Sequence, residues 1–153
     1  MKGSKGTLTG AVILFIFSLT LPLHSGRCPI RQEITATAKK FLGISYRYGG
    51  TGNRGFDCSG FVQNVFLKHG FNLPRMSRDQ YRKSRKISLA RVSPGDLLFF
   101  KISRNRISHV AISLGNDTFI HSPRTGKRVR VASLKTSYWK KRFAGAGTFI
   151  SCR

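Results

Sequence analysis

Three side chains of this sequence, one thiol and two imidazoles, could together perform nucleophilic catalysis. Cys58 precedes apolar positions at helical spacing, so its thiol would lie at the N-terminus of a helix. Unpaired backbone N–H groups and the helix dipole favour an anion there, and we therefore expect a lowered pKa for the Cys58 thiol. Such a thiol suits a nucleophile, and the alternative is a small buried core residue.

A thiol nucleophile needs a neighbouring base, and that base needs a third polar group to orient it. His109 begins an alternating apolar segment, and His121 ends the next one. If Leu114 pairs with Thr118, the two imidazoles share one face of a hairpin, about 7–8 Å apart at the backbone. A strict two-residue turn at 116–117 would place them on opposite faces. The hypothesis of a shared site therefore predicts an odd-length loop or a β-bulge.

Helical patterns precede strand patterns along the chain. Helix periodicity covers residues 29–42 and 58–69, and a capping-box pattern of Ser77 with Gln80 predicts a third, short helix. Between the first two helices lies a glycine-rich loop, residues 46–55. Strand patterns follow at residues 96–100, 109–114, 118–121, 128–131 and 144–150. This order predicts an α+β domain in which N-terminal helices pack on a C-terminal antiparallel β-sheet.

Composition limits the chain to one ordinary basic domain. It has 153 residues, 40% of them hydrophobic, and a net charge of +23. That hydrophobic share excludes disorder over most of the length, and three cysteines are too few for a disulfide scaffold or a paired Cys-x-x-Cys zinc site. The charge suits an anionic partner, either nucleic acid, an acidic wall polymer or a membrane surface. The alternative is a basic face that is merely solvated.

The N-terminus has the pattern of a secretory signal peptide over residues 1–26. Lys2 and Lys5 precede an uncharged run at 8–21, and Pro22 and small residues follow it. An uncleaved membrane anchor is the alternative. Residues 27–153 would form the exported domain, in the periplasm or cell envelope, where it would not meet nucleic acid. His24 belongs to the signal segment, and His69 lies at a helix end, so we assign neither to the site.

The remaining cysteines, Cys28 and Cys152, would lie at the two ends of the exported domain. Three states are open: a disulfide, lipid acylation of Cys28, or free thiols. Arg27 occupies the position where a lipoprotein signal would have a small residue, so we favour the disulfide. In the chain-entropy model such a long loop contributes roughly 4–5 kcal/mol.

Six motifs occur in a fixed order along the chain, at residues 43–50, 56–62, 73–75, 94–100, 108–112 and 119–121. Together they resemble the successive motifs of the NlpC family of papain-like cysteine peptidases, over nearly all of the chain after the signal segment. The resemblance implies a papain-like fold and an endopeptidase that cuts peptidoglycan stem peptides, usually between γ-D-glutamyl and a diamino acid. It also implies that no metal or cofactor takes part.

The same resemblance implies roles for individual residues. Cys58 would be the nucleophile, His109 the general base and then acid, and His121 the polar residue that orients His109. The substrate-binding residues that it implies are Tyr46, Asp57, Ser59 and Arg75. The chain departs from the family pattern at residues 145–147, where arginines are usual, and at residues 122–123 after the second histidine.

Two other functional classes share these features. One is an exported binding or structural module on the same fold without activity, against which the intact Cys58, His109 and His121 argue. The other is a thiol acyltransferase or amidase on a related papain-like fold, which would keep the triad and change the pocket.

Overall fold

The structure is a computed structural model that describes Gly3 and residues 28–52, 54–103 and 105–152. The signal peptide expected over residues 1–26 lies outside these described residues, apart from Gly3, and stays a prediction. In the described part of the chain, no helix combines the length and the apolarity that a membrane crossing requires.

The described chain forms helices packed on an antiparallel sheet. The helices are α1 (Pro29–Lys39), α2 (Cys58–Leu67), α3 (Ser77–Lys83) and α4 (Ser137–Arg142). A short hairpin precedes α2 and consists of β1 (Thr51–Gly52) and β2 (Gly55–Phe56). The main sheet contains β3 (Arg85–Ile87), β4 (Leu97–Phe100), β5 (His109–Gly115), β6 (Thr118–His121), β7 (Arg130–Ser133) and β8 (Phe143–Thr148). Its spatial order is β3-β8-β4-β5-β6-β7.

This architecture confirms the predicted α+β fold, with corrections in detail. β3 and α4 were not predicted, and α4 interrupts the run of strands between β7 and β8. The capping box expected for α3 is wrong, because Met76 occupies the N-cap position and makes no side-chain cap. The side-chain amide of Gln80 instead donates to the carbonyl oxygens of Ser59, at 3.1 Å, and Pro74, at 2.8 Å. It therefore ties α3 to the start of α2.

Both faces of the main sheet are covered. Successive side chains of a strand point to opposite faces, so Val110 and Ile112 lie in one core cluster and Ala111 in the other. The first cluster contains the buried faces of α1 and α2. The second contains Trp139 of α4, and His109 packs against this tryptophan. The face that carries the histidines is thus the one covered by α4.

The β5–β6 hairpin contains the predicted irregularity. Ile112 pairs with Ile120, and the register then shifts before Gly115 pairs with Thr118. The turn itself has two residues, Asn116 and Asp117, both at positive φ (51° and 58°). A two-residue turn of this kind matches the twist of the strands, and the bulge beside it restores the parity that places both histidines on one face. The prediction of a loop or bulge is confirmed as a bulge.

A disulfide joins Cys28, immediately before α1, to Cys152, after β8, and closes a loop with a sequence separation of 124. This is the pairing favoured from the sequence. It holds the two ends of the described domain together, and Cys58 is left as the free cysteine of the described residues.

Candidate active site

Cys58 is the first residue of α2, and the glycine-rich loop fixes this end of the helix. Asp57 is the N-cap, and its Oδ1 accepts a hydrogen bond of 2.7 Å from the Gly60 N–H. The Asp57 N–H in turn donates to the Gly50 carbonyl at 3.0 Å. A Cβ atom at position 60 would lie 2.1 Å from the Gly50 oxygen. Only glycine therefore lets the loop approach the first turn of α2 this closely.

A polar network surrounds Asp57 on the side of α2. Arg75 forms a two-pronged ion pair with its carboxylate, and one of the two contacts is 3.0 Å long. The same guanidinium donates to the Ser59 hydroxyl at 3.0 Å, and that hydroxyl donates to Asp57 at 3.3 Å. The Gly49 N–H also donates to the Asp57 carboxylate at 3.1 Å. The structure thus brings Asp57, Ser59 and Arg75 together in one rigid group next to the thiol.

The two histidines form a buried pair. His109 is the first residue of β5 and His121 the last of β6, and their solvent exposures are 4% and 0%. His109 Nε2 lies 2.9 Å from His121 Nδ1, which is hydrogen-bonding distance. If His109 donates its Nε2 proton, its Nδ1 lone pair is free to act as a base. His121 then carries its own proton on Nε2, an atom without a hydrogen-bond partner among the described residues.

Trp139 of α4 covers this pair, and the sequence analysis missed it. The indole stacks on the His109 ring, with centroids 5.5 Å apart and planes at 27°. It meets the His121 ring edge-on at 5.0 Å. The sequence feature that could have indicated its role is that Trp139 is the chain's one tryptophan and lies next to Tyr138. The apolar ring keeps water from the two imidazoles and fixes their planes.

A buried hydrogen bond ties the histidine strand to the nucleophile segment. The Ser122 hydroxyl, next to His121, donates to the Phe56 carbonyl at 2.7 Å, and Phe56 lies two residues before Cys58. Both side chains are fully buried. This contact spans 66 positions of sequence and sets the distance between the two halves of the site.

One cleft of about 550 Å³ collects the reactive groups. Cys58 and His109 both line it, His121 lies directly behind His109, and Tyr46 lines it from the glycine-rich loop. The Cys58 sulfur lies 3.9 Å from the Ser108 carbonyl oxygen, beside the start of β5. The remaining lining residues are Ile102, Ser103, Pro123, Arg124, Arg130, Thr136, Tyr138 and Trp139. Asp57, Ser59 and Arg75 are not part of its lining and lie in the network at the start of α2.

The expected low pKa of Cys58 is wrong for the free protein. Burial raises the pKa of the Cys58 thiol to about 11, and the adjacent Asp57 carboxylate raises it further. The N–H groups of Val110, Ser59 and Cys58 lower the pKa without offsetting these effects. The sequence pattern revealed the helix N-terminus. It did not take into account that the Cys58 thiol loses its hydration on folding, or that the capping residue Asp57 is negatively charged.

Burial also keeps the imidazoles neutral. It lowers the pKa of His109 to about 4. Burial, then the positive charges of His109 and Arg130, lower the pKa of His121 to about 2. Burial and the negative charges of Cys58 and Asp57 raise the pKa of Tyr46, which therefore stays a hydroxyl donor. At neutral pH the resting cleft holds a thiol and an unprotonated imidazole, which is the protonation state that a general base needs.

The described residues contain no cluster of three or more His, Cys, Asp or Glu side chains that could hold a metal ion. The groups that the cleft itself offers for chemistry are a thiol, an imidazole pair, a phenol and backbone N–H donors.

Comparisons with known proteins find one family over most of the described domain. The model of the NlpC/P60 family matches residues 43–148. The chain is 35% identical over 124 residues to the gamma-D-glutamyl-L-lysine dipeptidyl-peptidase of Bacillus cereus, covering 80% of this chain and 37% of that protein. It is 41% identical over 118 residues to the probable peptidoglycan endopeptidase LytE of Bacillus subtilis, covering 77% and 34%.

A solved NlpC/P60 family protein from Bacillus cereus superimposes with a TM-score of 0.76 at 34% identity, over 79% of this chain and 40% of that one. The chain thus spans less than two fifths of the length of the two curated relatives named above.

Proposed function

The chain belongs to the NlpC/P60 family, and from that premise we propose that it is a cysteine peptidase that hydrolyses peptidoglycan stem peptides. The bond that it cuts is the one between γ-D-glutamyl and a diamino acid. The observation that carries the proposal is that Cys58 and His109 line one cleft, with His121 hydrogen-bonded behind His109. The names of the two curated relatives, a γ-D-glutamyl-L-lysine peptidase and a probable peptidoglycan endopeptidase, support this substrate class.

Catalysis begins with transfer of a proton. As the Cys58 sulfur attacks the γ-glutamyl carbonyl carbon, His109 Nδ1 takes the thiol proton, so the unfavourable free thiolate need not accumulate. His121 accepts the hydrogen bond from His109 Nε2 and stabilises the imidazolium that forms. The Cys58 N–H at the helix N-terminus and the Tyr46 hydroxyl would donate to the tetrahedral oxyanion. In other hydrolases one such donor contributes about 3–4 kcal/mol.

The intermediate then collapses in two stages. The C–N bond breaks as the His109 imidazolium gives its proton to the departing amine of the diamino acid, which leaves a γ-glutamyl thioester on Cys58. Water enters, His109 removes one of its protons, and the hydroxide attacks the thioester carbonyl. The C–S bond breaks, the His109 imidazolium returns its proton to the sulfur, and the glutamyl γ-carboxylic acid leaves and gives up its proton to bulk water.

The group next to the thiol serves the acyl half of the substrate. We assign Tyr46, Asp57, Ser59 and Arg75 to the binding of the residues that precede the scissile bond. Arg75 neutralises Asp57 and holds Ser59 in place, so this group next to the cleft is fixed before the substrate arrives. Such preorganisation reduces the entropy cost of binding.

We also propose that residues 1–26 are a signal peptide and that the domain of residues 27–153 acts outside the cytoplasm, in the periplasm or cell envelope. A disulfide persists in oxidising compartments, which supports this location. Removal of Lys2 and Lys5 from a net charge of +23 leaves +21 on the exported chain. That charge would hold the enzyme near an anionic wall polymer or lipid surface, with an affinity that salt weakens.

The test is digestion of purified muropeptides followed by mass analysis of the products. Wild-type protein should release the diamino acid fragment, and Cys58→Ala and His109→Ala should release none. His69→Ala is the matched control for His109→Ala, because His69 bonds Thr37 at 2.9 Å and lies outside the cleft. Unchanged muropeptides would favour a binding module, and cleavage at the sugar-to-peptide amide or acyl transfer would favour the amidase or acyltransferase class.

A further inference from the structure

The cleft has a cationic wall that the catalytic steps leave unused. Arg124 and Arg130 both line it, from the segment that follows His121. Arg130 lies directly opposite His121 in the β6–β7 register, so the two side chains share one face of the sheet. Its charge also contributes to the lowered pKa of His121. Arg130 is therefore near the imidazole pair, and not on a remote surface.

Both guanidinium groups have free donors. Neither forms a salt bridge or a side-chain hydrogen bond with any residue that the structure describes, and both side chains are exposed to the solvent of the cleft. Other arginines are engaged: Arg31 pairs with the buried Asp96 at 2.8 Å, and Arg128 donates to the Gly43 carbonyl at 2.9 Å. The described lining of the cleft also contains no aspartate or glutamate. The wall is thus an uncompensated pair of positive charges.

The positions of the two arginines indicate which half of the substrate they would contact. The departing amine must lie close enough to His109 to receive its proton, so the leaving half of the stem peptide extends from the imidazole pair. The acyl half lies on the opposite side, towards Tyr46 and the Asp57 network. Arg130, across from His121, and Arg124 beside it therefore approach the leaving half.

We propose that Arg124 and Arg130 form a carboxylate-binding subsite for the leaving half of the substrate, and that they select stem peptides whose diamino acid portion carries a free carboxylate. The proposal rests on the proposed peptidase function. A guanidinium group matches a carboxylate in a planar, two-pronged geometry, which an amide cannot reproduce with equal strength. The carboxylate has two sources: the side-chain end of a diaminopimelate residue, or the C-terminus of the peptide.

The experiment compares four synthetic tripeptides, each with an L-Ala-γ-D-Glu acyl half. Their third residues are diaminopimelate with both carboxylates free, its side-chain amide, its C-terminal amide, and lysine. Wild-type protein should cleave the free form about 10- to 100-fold faster, in kcat/KM, than the amide that removes the recognised carboxylate. The two amides show which source is recognised, and lysine should behave like the side-chain amide.

Charge removal then assigns the effect to the two arginines. In the variant Arg124→Gln/Arg130→Gln, the ratio of kcat/KM between the free peptide and the amide that lacks the recognised carboxylate should fall to near one. The decrease in kcat/KM should affect only the free peptide. The matched control is Arg85→Gln, which removes an exposed arginine from β3, at the opposite edge of the sheet from β7. It should keep the ratio of the wild type. A ratio near one in the wild type, or a ratio unchanged in the double variant, would overturn the proposal.

Binding to Cys58→Ala separates this proposal from the proposed function. Calorimetric titration of that variant with the same peptides measures recognition without turnover. Preferential binding of the free carboxylate, lost in the arginine variant, would uphold the subsite even if wild-type protein hydrolysed nothing. Hydrolysis without any preference in turnover or binding would refute the subsite and leave the peptidase function intact. Absence of both binding and hydrolysis would refute both.

Discussion

Acidification should destabilise the protein through the buried histidine pair before its carboxylates titrate. Burial lowers the pKa of His109 to about 4 and that of His121 to about 2, against an ordinary value of 6.5. On acidification His109 and His121 therefore bind two protons in the unfolded chain that they do not bind in the folded protein. The stabilisation is complete above about pH 6.5 and is lost as the pH falls through that value towards the folded pKa.

The magnitude follows from these pKa values. About pH 5 is roughly 1.5 units below the pKa of an unfolded histidine, so protonation stabilises that histidine by about 2 kcal/mol. A folded histidine with a pKa of about 4 gains almost none at that pH. The pair should therefore reduce the free energy of unfolding by about 4 kcal/mol between about pH 7.5 and about pH 5.

Urea unfolding at a series of pH values measures this loss, with His69→Ala as the control for a histidine outside the pair. NMR titration of the imidazole carbon-bound protons follows the same groups in folded protein. A change in stability below about 1 kcal/mol over this range, or folded-state titration of His109 near pH 6.5, would show that burial does not keep the pair unprotonated.

Three further predictions concern the Cys58 thiol, the disulfide between the termini, and the hydrogen bond that links the histidine strand to the nucleophile segment. Alkylation of Cys58 by iodoacetamide at neutral pH should slow at least about tenfold in His109→Ala and recover only towards the thiol pKa of about 11; equal rates would show that His109 is not the base. Reduction of the terminal disulfide should lower the free energy of unfolding by about 5 kcal/mol, measured by urea unfolding with and without dithiothreitol, and a loss under 1 kcal/mol would contradict this. Ser122→Ala removes one of the two hydrogen bonds that the Phe56 carbonyl accepts and leaves the one from the Arg47 N–H, so it should cost about 0.5–1.5 kcal/mol with a lower kcat; unchanged stability and kcat would make the contact incidental.

The spacing of apolar residues along the sequence was sufficient to predict the helix start and the hairpin that carry the candidate site residues. The apolar periodicity after Cys58 placed this residue at a helix start, and strand parity required an odd-length loop or a bulge, of which the β5–β6 hairpin contains the bulge. These features are local, so they follow from the period of a helix or strand and from turn chemistry.

The parts that sequence reasoning missed depend on tertiary contacts. α4 has six residues, too few for a clear helical period, and Trp139 reaches the histidines only because the chain returns across the sheet. The pKa of Cys58 was predicted in the wrong direction because burial is a property of the whole fold. The Ser122 contact joins residues 66 positions apart, and no local pattern signals it.

The proposed mechanism requires that Cys58 becomes covalently acylated, with the imidazole pair as its proton carrier. Acid quenching of wild-type protein during turnover of an L-Ala-γ-D-Glu-diaminopimelate peptide, followed by mass analysis of the digested protein, tests it most directly. We predict a dipeptide adduct on the fragment that contains Cys58, absent in Cys58→Ala and still present in His69→Ala. Hydrolysis that continues in Cys58→Ala, or an adduct on another residue, would show that Cys58 is not the nucleophile.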